Sequence, residues 1–126
     1  MSEEYEEYVP LRERHAELAP VIDRRALIDR YNEAIDVARA EHAQAVNKLN
    51  RQRMNSDAAF PSGLTREEKA RRQAILYAEN AEEIRYLAAC GNARTALSAG
   101  WEQWHLDYPG RPWTISGHQP GEKIRF

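Results

Sequence analysis

The sequence predicts an all-α protein: a long antiparallel helical hairpin, coiled-coil-like, with a short N-terminal helix and an extended C-terminal arm. Three observations carry that expectation. Two segments of similar length hold small and apolar residues at alternating gaps of three and four. A cluster of turn-forming residues separates them. A capping box then opens the second segment.

The first long helix is expected over about 20–54, preceded by a short one near 10–18. Pro10 and Pro20 each suit the first position of a helix, and Leu11, His15 and Leu18 follow helical spacing. The long stripe is Ile28, Tyr31, Ile35, Ala38, His42, Ala45 and Leu49, a heptad pattern without a break. The break comes in "NSDAAFPSGL", residues 55–64, where Asn, Ser, Asp, Pro and Gly crowd together. Thr65 and Glu68 in "TREE" form the capping box, and the next helix is expected over 65–99.

Its seam reads Ala70, Ala74, Tyr77, Ala81, Ile84, Ala88, Gly91, Thr95 and Ser98. Small residues there would let the bulkier stripe of the first helix come close. Each expected helix has 35 residues, about 52 Å at 1.5 Å per residue, so the two match in length. A second stripe on the later helix runs through Leu76, Leu87, Cys90, Leu97, Trp101 and Trp104. One partner helix cannot cover both stripes, which points to a share of the burial for a second subunit. Pro109 ends any helix that continues past Gly100. The organisation expected is a hairpin domain over 1–108 and an arm over 109–126.

Composition narrows the function classes. The chain has 126 residues, 30% of them charged, and a mean hydropathy of −0.80. Alanine supplies much of the apolar content, so an elongated helical body is expected rather than a deep globular interior. A single cysteine, Cys90, excludes an internal disulfide and suits a reducing compartment. The expected location is the cytoplasm or an assembled particle, not the secretory route. No apolar run reaches the roughly 18 residues of a membrane span, and "MSEEYEEYVP" is acidic where a signal peptide is basic and apolar.

Charge is unevenly spread. Residues 1–20 carry six acids against two bases, while residues 48–72 carry seven bases against three acids. In a hairpin, Lys48, Arg51 and Arg53 end one helix and Arg66, Lys69, Arg71 and Arg72 begin the next, so the cluster converges on one tip. Such a tip would hold phosphates, and nucleic acid is a partner class it admits. The competing reading is a solvated tip whose bases complement a helix dipole.

The residues of catalysis do not form a pattern. Glu102 and His105 make one E-x-x-H pair, but a carboxylate-bridged metal bundle needs it twice, with further inward glutamates that neither seam supplies. His42 on the first seam is read as a histidine bonded to a neighbour or to water. Cys90, in mid-helix on an apolar stripe, is read as a small buried hydrophobe rather than a nucleophile. The glycines match no phosphate loop, and the serines lack a nucleophile elbow. The chain is therefore expected not to be an enzyme and to need no cofactor or metal.

The stretch "WEQWHLDYPGRPW" holds all three tryptophans. Trp101, Trp104, Tyr108, Trp113 and Phe126 are the expected partner-binding residues, because large aromatics beside Pro and Arg are common interface anchors; the competing reading folds the arm back on its own hairpin. The functional expectation is a structural or assembly subunit, acting through helix packing and arm-mediated contacts with copies of itself or another protein. Hairpins with charged tips and arms occur among assembly factors, phage structural and accessory proteins and small regulators. The alternative is a small nucleic-acid-associated or inhibitory protein that uses the basic tip.

Overall fold

A computed structural model describes residues 13, 15–59, 65–115 and 121–125. A 3₁₀ turn at Ala16–Leu18 leads into helix α1, Ala19–Ala59, and helix α2 spans Arg66–Asp107. Among the described residues there is no strand. Of the expected helix near 10–18, residues 10–12 and 14 lie outside the described residues, and Ala16–Leu18 form the 3₁₀ turn.

The two helices run antiparallel, as the cross-helix contacts show. Trp104 meets Pro20 near one end, His42 meets Glu82 further along, and Arg53 meets Glu79 towards the tip. Helix α1 is longer than its sequence pattern indicated, because it continues to Ala59 into the turn-rich segment. Helix α2 likewise passes Gly100 and stops at Asp107, where Pro109 follows and Gly110 takes a positive φ of 81°. At its other end the capping box is formed. Glu68 N–H donates to Thr65 Oγ1 at 3.2 Å, and Thr65 N–H donates to Glu68 Oε2 at 2.9 Å.

The stripe read on α1 faces inward along its whole length. Ile28, Tyr31, Ile35 and Ala38 are buried, and His42, Ala45 and Leu49 are half-buried. Ile35 is fully enclosed.

The seam read on α2 is corrected: it faces solvent. Tyr77 is 64% and Ile84 69% exposed. The inward face instead carries Ile75, Glu79, Glu82, Tyr86, Ala89, Cys90, Ala93, Leu97 and Trp104. The physical reason is bulk. The outward seam offers two large side chains among Ala, Gly, Thr and Ser, whereas the chosen face buries Cys90, Leu97 and Trp104 and half-buries Tyr86. The second stripe is thus correct at its C-terminal half, while Leu76 and Leu87 remain about half exposed.

The core cluster is Tyr31, Ile35, Ala38, Cys90 and Leu97, with Leu27, Tyr86, Ala89, Ala93, Ile115 and Ile124 packed against it. Two of these, Ile115 and Ile124, belong to the C-terminal arm. The arm therefore contributes to the core of its own chain.

Candidate interaction surfaces

The described residues of the arm, 109–115 and 121–125, pack on the hairpin, and 121–124 are fastened through their backbone. Asn32 reads Ile124 with both ends of its amide: Nδ2 donates to the Ile124 carbonyl at 2.8 Å, and Ile124 N–H donates to Oδ1 at 2.7 Å. Tyr31 OH donates to the Glu122 carbonyl at 3.0 Å, and Arg39 donates to the Gly121 carbonyl. Lys123 pairs with Asp36 at 3.0 Å. Burial raises the pKa of the Tyr31 phenol, with Arg94 acting against that effect. Gly121 is buried with φ 82°, and a Cβ there would lie 2.9 Å from Tyr86 Oη. Glycine answers both demands, the left-handed backbone and the close approach.

The tryptophans close the other end. Trp104 is 6% exposed, and its Nε1–H donates to the Pro20 carbonyl at 2.9 Å. Its ring meets Trp113 edge-on at 5.0 Å and Tyr108 at 5.4 Å. The Trp113 carbonyl accepts two bonds, from Trp101 Nε1 at 3.0 Å and from His105 Nε2 at 2.8 Å. A carbonyl only accepts, so His105 carries its proton on Nε2. Tyr108 OH bonds Asp23 on α1. Trp101, Trp104, Tyr108 and Trp113 thus meet one another and α1 within one chain. Phe126 lies outside the described residues.

The inward acids of α2 form a polar girdle at mid-hairpin. His42 stacks on Tyr86 with ring centroids 4.3 Å apart, and its Nδ1 lies 3.2 Å from Glu82 Oε1. Arg85 bonds both oxygens of Glu82, at 2.9 and 2.7 Å, and reaches Glu41 at 3.1 Å. These contacts correct the expectation that no glutamate points inward. The bond from Arg85, followed by that from His42, holds the Glu82 carboxyl below the usual carboxylate range.

The sign of the resulting pH dependence follows. A depressed folded pKa gives stability that is present above the unfolded carboxylate pKa and lost as pH falls through the folded value. Urea midpoints should therefore drop below about pH 4, and Glu82→Gln should flatten that acid limb. An acid limb that Glu82→Gln leaves unchanged would assign it to other carboxylates.

Lys48, Arg51, Arg53, Arg66, Lys69, Arg71 and Arg72 are all exposed on the last turns of α1 and the first turns of α2. Arg53 is paired with Glu79. Glu102 of the E-x-x-H pair is exposed, while His105 is held by the Trp113 carbonyl. Among the described residues, no three His, Cys, Asp or Glu side chains converge on a position for a metal ion. None of the described helices is long and apolar enough to cross a membrane.

The remaining feature is the outer face of α2. From Ala70 to Ser98 its seam residues carry no charge, and Tyr77, Ile84 and Leu87 are more than half exposed. Comparisons with protein-family models, with curated proteins and with solved structures find no match to this chain.

Proposed function

We propose that this chain is a non-enzymatic structural or assembly subunit, a stiff helical strut that joins other protein surfaces by helix packing. The observation that supports this reading is the uncharged outer seam of α2. The described arm residues and the tryptophans pack against their own chain, yet this seam keeps Tyr77 and Ile84 in solvent at 64% and 69% exposure. A stripe of that length on a folded subunit is a contact surface rather than incidental exposure. The contact role passes from the arm to α2, and the arm serves as the closure that keeps the strut rigid.

A photo-crosslinking side chain placed at Ile84 tests this reading in the native cell. Protein adducts are expected from that position, and none from Glu33, which is exposed on α1. Failure of the Ile84 position to yield adducts while the protein is folded and abundant would overturn the assembly reading.

A further inference from the structure

We propose that the outer seam of α2 pairs with the same seam of a second copy, antiparallel, about a two-fold axis at Ile84. This deepens the assembly reading and rests on it.

The residues of α2 are distributed symmetrically in the way such a pair requires. Arg66 and Glu102 lie eighteen residues on either side of Ile84. Eighteen residues are five turns of 3.6, so all three share one line along the helix. Arg66 and Glu102 are exposed, and Ile84 is the seam's most exposed large side chain. In the antiparallel pair Arg66 faces the partner's Glu102, and the reciprocal pair forms at the other end. A parallel pair would set Arg66 on Arg66. The basic start of α2 would also lie beside the acidic end of its partner, where Asp107 follows Glu102.

Size is complementary as well. Tyr77 and Gly91 lie seven residues on either side of Ile84, and Ala70 and Ser98 lie fourteen. The largest ring on the seam thus faces the position without a side chain. A Cβ at Gly91 would meet nothing within 4 Å in the single chain. The space there is open until a second copy supplies a ring to fill it. Leu87 and Ala81, three on either side, repeat the large-to-small match.

The area suffices for a reversible dimer. Arg66 to Glu102 spans about 54 Å, and a seam about 10 Å wide buries on the order of 1,100 Å² across both copies, the lower range of specific interfaces. An interface of that size belongs to the weak, reversible class.

Sedimentation equilibrium of the purified chain reads this directly. A monomer–dimer equilibrium is expected between about 1 and 200 µM, in keeping with a small interface. Gly91→Tyr should keep the helical signal and weaken association at least about tenfold, because two rings then compete for one space. The double exchange Tyr77→Ala with Gly91→Tyr should restore association to within about threefold of wild type, since each ring again meets a small residue.

A wild-type chain that stays monomeric to about 200 µM overturns self-pairing, a concentration at which an interface of this size should be populated. So does a dimer indifferent to Gly91→Tyr, or one that the double exchange fails to restore. If the purified chain is monomeric while the Ile84 crosslinker captures a different protein, self-pairing falls and the assembly reading stands.

Discussion

Removal of residues 109–126 is expected to lower the stability of the hairpin by roughly 3 kcal/mol, a fall of about 10–15 °C in Tm. Trp113, Ile115 and Ile124 are each half-buried, and each contributes on the order of 1 kcal/mol of apolar burial. Their loss uncovers Tyr31 and Cys90, now only 4% and 3% exposed. It also leaves Asn32, which spends both ends of its amide on Ile124, to find water. The truncated chain should remain helical, since the capping box and the α1 stripe lie outside the deleted segment. Thermal melts followed by circular dichroism measure the effect. An unchanged Tm would mean that the arm contributes nothing to the core.

Trp104→Ala is expected to cost about 4 kcal/mol, within the range for a large buried aromatic. The ring fills the end of the hairpin opposite the tip, with Trp113 at 5.0 Å and Tyr108 at 5.4 Å. The Pro20 carbonyl also loses its donor at 2.9 Å. Trp104→Phe separates the two effects. It keeps much of the ring and loses the donor, so it should cost about 1–2 kcal/mol. Urea unfolding of both variants gives the comparison. Equal costs for the two would assign the whole effect to the hydrogen bond, and a cost under about 1 kcal/mol for Trp104→Ala would contradict the packing described.

The inward face of α1 was legible because its stripe from Ile28 to Leu49 keeps helical spacing throughout, with only His42 breaking the apolar run. The inward face of α2 was legible only from Cys90 onward, and the cause is specific. Its inward face is interrupted by Glu79 and Glu82, which look like solvent residues until Arg53 and His42 are placed across from them. Those pairings join residues 26 and 40 apart in sequence, beyond any local period. The outward seam has the cleaner heptad, but its Ala, Gly, Thr and Ser residues repay little on burial. The capping box at Thr65 and Glu68 was legible because it needs only residues three apart.

The docking of the arm was hidden for a different reason. Asn32, Tyr31 and Arg39 hold it through the carbonyls of Ile124, Glu122 and Gly121. A backbone carbonyl is the same at every residue and leaves no mark in a sequence. The one residue-specific sign was Gly121, whose positive φ and contact with Tyr86 require glycine. The tryptophans gave a true signal of buried contact, and the partner they find is the hairpin of their own chain. The basic tip was legible from charge alone, because the antiparallel helices set the bases of 48–53 late in α1 and those of 66–72 at the start of α2.

The central claim is that the arm closes its own hairpin and so leaves the outside of α2 as the contact surface. Cys90 reports on this directly, since the lone thiol is 3% exposed and its Sγ would lie 3.7 Å from a Cβ at Gly121. The measurement is the rate at which a thiol reagent labels Cys90 in the native full-length protein, taken across a wide range of protein concentration. Closure within one chain predicts slow labelling at every concentration, including the most dilute. Labelling that is fast in dilute protein and slows as concentration rises would show the arm covering a neighbour instead, and would contradict the account.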